Sequence, residues 1–91
     1  MVVLTISIPA YNDGPTIEKI VGEARSAGRE LGVPFEILVI NDGSKDDTKD
    51  RVLQLQSSVP ELRYREHPVN LGFGPTIAEV YMAPTSEWVW F

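Results

Sequence analysis

With 91 residues the chain has room for one small domain, and its 43% hydrophobic and 23% charged content is ordinary for a globular fold. Thirteen Asp and Glu against eight Lys and Arg give a net charge of −5 with no basic cluster, so nucleic acid is not an expected partner. The absence of cysteine excludes disulfides, thiolate chemistry and cysteine-ligated zinc. The N-terminus lacks the basic segment of a signal peptide, and no apolar stretch is long enough to span a bilayer, so a cytoplasmic location is expected.

In chain order, Val2 to Ile8 is rich in β-branched residues and reads as a first strand halted by Pro9. Ala10 to Gly14 is a turn, and Pro15 is placed at the first position of a helix running to Leu31. Ile17, Ile20, Val21, Ala24 and Leu31 recur on one face of it, and Gly32 suits its end. A second strand spans Phe35 to Ile40, and a second helix runs from about Asp47 to Gln56, burying Val52 and Leu55. Leu62 to Glu66 alternates apolar and charged residues as a half-wet third strand does. After a turn-rich loop from His67, a third helix is expected over Pro75 to Met82 with Ile77, Val80 and Tyr81 inward. An apolar strand, Glu87 to Phe91, closes the chain. This β-α-β-α-β-α-β alternation predicts a Rossmann-like, mostly parallel α/β sheet with helices on both faces and its first two strands adjacent.

The stretch Phe35 to Thr48 concentrates the chemistry. A buried strand ends abruptly at Asn41 and Asp42, followed by Gly43, Ser44 and the pair Asp46 and Asp47. Asp42 lies just past the carboxyl end of a strand, where open α/β sheets bind ligands. Asn41, Ser44, Asp46 and Asp47 are first of all turn and cap residues; Ser44 and Asp47 have capping-box spacing, and Ser44 or Asp46 could cap the helix. Other chemistries are absent from the pattern. There is no P-loop, Gly72 and Gly74 supply only two of the three glycines of a dinucleotide fingerprint, and neither HExxH nor paired CxxC occurs. The single histidine, His67, has no partner readable from sequence and reads as a loop residue before Pro68.

Three linked stretches carry a resemblance: Ile6 to Asp13, Ile37 to Thr48, and Asn70 to Gly74. In order and context they resemble the P-x-Y-N-E, D-D-G-S-x-D-x-T and N-x-G-x-G turns of family 2 glycosyltransferases with the GT-A fold. The resemblance implies a glycosyltransferase whose donor is a nucleotide-diphosphate sugar and whose acceptor is a polyprenyl phosphate, a glycan or a cell-envelope precursor. It places Pro9, Tyr11 and Asp13 at the nucleoside, Asp13 standing where the family carries glutamate. Ile40 and Asp42 would meet base and ribose, and Asn70 the phosphates or sugar. An aromatic ring suits a flat base, and a carboxylate can accept from a base N–H.

Departures from the pattern accompany the match. Asn41 replaces the first Asp of the pair, Pro75 follows the second glycine, and Ala78 and Val80 stand where many relatives carry Asn and Gly. The family's D-x-D motif, which holds a divalent cation, Mg or Mn, against the diphosphate, is expected just after Phe91, so neither metal ligands nor a catalytic base are expected within the chain. Residues 1–91 are accordingly expected to be the nucleotide-binding part of a longer protein, at the cytoplasmic face of a membrane when complete. The aromatic last strand is expected to drive self-association. The alternative is a non-catalytic nucleotide-binding or α/β interaction module.

Overall fold

The computed structural model describes residues 2–90. Seven elements follow one another: β1 (Leu4–Ala10), α1 (Gly14–Leu31), β2 (Phe35–Asn41), α2 (Thr48–Leu55), β3 (Leu62–Glu66), α3 (Phe73–Met82) and β4 (Trp88–Trp90). The four strands form one parallel sheet in the order β3-β2-β1-β4. The chain therefore builds outward from β1 through β2 to β3, then crosses back to place β4 on the other side of β1.

β2 is a central strand and explains the helices on both faces. Its side chains alternate, as a pleated strand requires. Ile37 and Val39 join Ile17 and Val21 of α1, Val52 of α2, and Leu62 in one core cluster. Leu38 and Ile40 meet Val80 of α3 on the opposite face. A strand covered on both sides reads as a continuous apolar run, as Ile37 to Ile40 does. Each fully buried aliphatic side chain, such as Ile17 or Ile40, contributes about 1.5–3 kcal/mol relative to exposure.

The boundaries differ from the expected ones for local reasons. β1 begins at Leu4 and runs through Pro9 to Ala10 rather than stopping at Ile8. The Ala10 carbonyl accepts from Asp42 N at 2.8 Å, so Ala10 faces β2, and the neighbouring Pro9 faces the other side. The missing N–H of Pro9 therefore costs the β1–β2 ladder no bond. α3 starts at Phe73, so Pro75 lies in its first turn, where amides have no helical partner in any case. Tyr81 points outward, 56% exposed, and the inward face of α3 is Thr76 and Val80, with Ile77 half-buried. Gly32 ends α1 in the left-handed conformation, φ 71°.

β4 and β3 are the two edges of the described sheet, and both tryptophans of β4 are exposed, Trp88 at 62% and Trp90 at 44%. Phe91, expected in the same strand, lies outside the described residues.

Candidate functional site

Two turns at the carboxyl end of the sheet are stitched together. Asn12, after β1, adopts φ 53°. Its N–H donates to Ser44 Oγ at 2.9 Å, and its Oδ1 accepts from Lys45 N at 2.8 Å. Asn tolerates the left-handed region better than most residues, and the two bonds hold it there. Asn41 Oδ1 accepts from Ser44 N at 3.0 Å and from the Ser44 hydroxyl, while Asn41 Nδ2 donates to Tyr64 Oη at 2.9 Å. Asn41 is thus an amide with both ends used, which explains it in place of aspartate. Of the two expected cap candidates, Ser44 serves the first turn, and it is Asp46 that accepts from the Thr48 N–H and hydroxyl and from Gly14 N at 3.0 Å. One carboxylate thereby joins the N-termini of α1 and α2, where negative charge is favoured. These bonds hold its pKa below the usual carboxylate value, the Thr48 hydroxyl bond foremost.

Between these turns and the start of α3 lies a cleft of about 380 Å³. Pro9, Ala10 and Tyr11 form its β1 side, Asp42 its floor, and Asn70, Gly72, Phe73 and Thr76 its far wall. The sheet reverses direction of growth at β1, between β2 and β4, and open α/β sheets take their ligands at such a switch point. A larger hollow of about 880 Å³ runs along the outside of α1 and α2, beside Glu18, Asp50 and Arg51. It lies on the α1–α2 surface and shares no lining residue with the switch-point cleft, and its Arg51 is already paired with Asp47 at 2.8 Å.

Four of the six residues singled out in the sequence line the cleft: Pro9, Tyr11, Asp42 and Asn70. Ile40 does not; its side chain is fully buried against Val80, because the alternation of β2 turns it under α3. Asp13 sits at the start of α1, where its carboxylate accepts from Tyr11 N at 3.1 Å, and so supports the cleft from outside.

Asp42 is the hub of the floor. Its side chain is only 7% exposed, and its carboxylate accepts from His67 Nδ1 at 2.8 Å, Leu71 N at 2.8 Å, Gly72 N at 3.0 Å and Asn70 Nδ2 at 3.0 Å. Burial pushes its pKa up, but the donors of His67, Leu71, Gly72 and Thr76 together outweigh burial and hold it below the usual carboxylate value. Four acceptor positions of the carboxylate are thus occupied by the chain itself.

His67 is not the unpartnered loop residue that the sequence suggests. Besides Asp42 it meets Glu79 of α3 through Nε2, and Arg65 Nε holds the other oxygen of Glu79 at 3.0 Å. A signal for this was available in the topology. In adjacent parallel strands with Asn41 opposite Glu66, the residues just past each strand, Asp42 and His67, must stand side by side. Among the described residues no group of three or more His, Cys, Asp or Glu could hold a metal ion, so this stretch does not itself fit one.

Fold and cleft together define an α/β protein with a ligand crevice at the carboxyl ends of a parallel sheet. Residues 5–91 match the family Glycosyl transferase family 2, and the chain belongs to that family. A dolichyl-phosphate beta-glucosyltransferase, ALG5A of Trichomonas vaginalis, is 33% identical over 81 residues, covering 84% of this chain and 25% of the relative. An undecaprenyl-phosphate 4-deoxy-4-formamido-L-arabinose transferase of Pectobacterium carotovorum is 27% identical over 71 residues, covering 78% of this chain and 21% of the relative. The mannosyltransferase PcManGT of Pyrobaculum calidifontis, solved with GDP-Man and Mn2+, superimposes with a TM-score of 0.74 at 23% identity, covering 90% of this chain and 24% of that one. That likeness establishes the shared fold, the GT-A architecture expected from the sequence. The chain spans about a quarter of the length of these proteins.

Proposed function

We propose that this chain is the nucleotide-binding part of a glycosyltransferase that moves a sugar from a nucleoside diphosphate to a polyprenyl phosphate. The observation that carries the reading is the cleft at the switch point. It joins an aromatic ring, Tyr11, a buried carboxylate, Asp42, and a loop with glycine and asparagine, Asn70 to Gly72, in one crevice. The polyprenyl-phosphate acceptors named for two relatives support the acceptor class, and the GDP-Man of the structural neighbour supports the donor class.

In this reading Tyr11 lies against the base, and Pro9 shapes the pocket beside it. The amides of Leu71 and Gly72 are held by Asp42, so the loop presents a fixed backbone surface toward the phosphates. For Asp42 to accept from a base N–H it must release one of its present donors, and the Asn70 side-chain amide is the most easily exchanged, being on an exposed residue. A divalent cation, Mg or Mn, would come from the acidic motif that the resemblance places after β4 and would neutralise the diphosphate leaving group. Transfer accordingly requires the intact protein.

Calorimetry of the intact protein with UDP and GDP tests the reading. Saturable binding of one of them, displaced by the matching sugar nucleotide, is expected, with sugar transfer to a polyprenyl phosphate when a divalent cation is present. No binding of either nucleotide, by a folded protein, overturns it.

A further inference from the structure

The cluster beneath the cleft carries an inference that rests on the nucleotide-binding reading above. The His67 ring lies between two carboxylates, with Nδ1 on Asp42 and Nε2 on Glu79. An ionised carboxylate only accepts hydrogen bonds, and a neutral imidazole has a single N–H. Two such contacts at once therefore require both ring nitrogens to carry hydrogen, the imidazolium form. Arg65 on Glu79 completes a set of two cations and two anions. The neighbouring Glu66 is taken up separately by Lys49 of α2, at 3.0 Å.

The two carboxylates are held very differently. Asp42 is buried and is held by the backbone amides of Leu71 and Gly72 independently of the ring. Glu79 is more exposed and, apart from His67, is bound by Arg65, itself 55% exposed. α3, which carries Glu79, also supplies Phe73 and Thr76 to the wall of the cleft.

We propose that His67 is a positioning residue for nucleotide binding: as an imidazolium it clasps α3, through Glu79, to the Asp42 floor, and the clasp opens when the ring loses its proton. The bare nitrogen of a neutral ring faces a carboxylate oxygen with lone pair against lone pair. Glu79 is the partner able to swing away, because Asp42 is fixed by its other donors. The hydrogen bond to Asp42, and after it the bond to Glu79, raise the ring's pKa above the ordinary histidine value against the opposing effect of burial. Nucleotide affinity is therefore highest when the ring is protonated and declines as pH rises through that raised value. A single proton limits the slope to about tenfold per pH unit.

The test combines calorimetry with UDP and GDP on the intact protein, from about pH 6 to about pH 9, with NMR of the His67 ring nitrogens over the same interval. In the wild type, affinity falls where the ring titrates. Glu79→Gln is the informative variant. Its amide can donate to the bare Nε2 of a neutral ring, so the clasp stays closed without the proton and affinity stays level across the interval. Purely Coulombic attraction between the ring and the diphosphate would leave Glu79→Gln with a decline wherever its ring titrates, and that result overturns the proposal. So does wild-type affinity that ignores the titration of the ring. If neither nucleotide binds at any pH, the nucleotide reading itself fails. The clasp is then decided by the backbone amides of Gly72 and Phe73, whose shifts follow the His67 titration in wild type but not in Glu79→Gln. Shifts that ignore the titration in the wild type overturn the clasp.

Discussion

Gly43 lies directly beneath the Val69–Asn70 peptide: a Cβ on Gly43 would come within 2.4 Å of the Val69 carbonyl carbon and 2.5 Å of Asn70 N. Gly43 also adopts φ 68°, which side chains resist. The turn after β2 and the loop after β3 thus touch backbone to backbone, and this contact brings Asn70 to Asp42. Replacing Gly43 with Ala is expected to cost at least about 1–3 kcal/mol of stability from the backbone conformation alone, with the clash in addition. Chemical denaturation measures the loss, and the amide shifts of Asn70 to Gly72 report whether the loop has moved. A variant of unchanged stability and unchanged loop shifts contradicts the contact.

Much of this fold is legible in the sequence because its signals are local. The run Phe35 to Ile40 announces a buried strand, Pro15 and Gly32 mark the ends of α1, and the alternation in Leu62 to Glu66 matches β3 residue for residue. What the sequence does not display is whatever depends on neighbours. Pro9 looks like a strand terminator until the register with β2 is seen to turn its nitrogen away from that ladder. Tyr81 looks like core by helical spacing, but the strand beneath α3 takes Thr76 and Val80 instead. Asp42 announces a crevice position through its place after β2, yet its saturation by His67, Asn70, Leu71 and Gly72 comes from residues 25 to 30 positions away. Ile40 is adjacent to that crevice in sequence and faces away from it in space, since successive strand residues point to opposite sides.

Asp42→Asn separates the structural role of the carboxylate from its role toward a ligand. An asparagine offers one acceptor oxygen and turns an NH2 group toward donors that need an acceptor. The loss of charge-assisted bonds in a buried site is expected to reduce stability by roughly 1.5–3 kcal/mol. The sign with pH is determined by the lowered pKa of Asp42. Its contribution is present above the ordinary carboxylate value and is lost as pH falls through the depressed folded value. Stability curves of wild type and Asp42→Asn should therefore be well separated at neutral pH and converge toward acid. Parallel curves down to strongly acid pH contradict the assignment.

The uncovered tryptophans of β4 lead to an expectation about assembly. Trp88 and Trp90 stand beside Leu31 and Val33 on an edge strand, bordering an apolar groove of about 250 Å³. Edge strands with large apolar side chains invite pairing with another chain. A chain limited to residues 1–91 is expected to self-associate, with its tryptophan fluorescence shifted to the blue as concentration rises. Trp88→Lys should weaken the association by placing a charge on the edge. A monomer in sedimentation at every accessible concentration, with fluorescence typical of solvated indole, counts against it.

The last prediction concerns Tyr11, the aromatic wall of the cleft. The residue is 43% exposed and belongs to neither core cluster, so it contributes little to the core. Its backbone, by contrast, is fixed: Tyr11 N donates to Asp13 Oδ2, and the next residue, Asn12, is tied to Ser44 and Lys45 across the sheet end. The ring is thus presented at the mouth of the cleft by a rigid turn, with little entropy left to lose on contact with a ligand. Stacking of a base on an aromatic side chain is worth about 1–3 kcal/mol, or roughly 5- to 150-fold in affinity. Tyr11→Ala is expected to weaken nucleotide binding within that range while leaving unfolding stability nearly unchanged, and Tyr11→Phe to retain most of the affinity. The pairing of the two variants is what makes the result specific. Equal affinity for wild type and Tyr11→Ala means that the base does not lie on this ring. A loss as large in Tyr11→Phe as in Tyr11→Ala assigns the interaction to the phenol hydroxyl rather than to stacking.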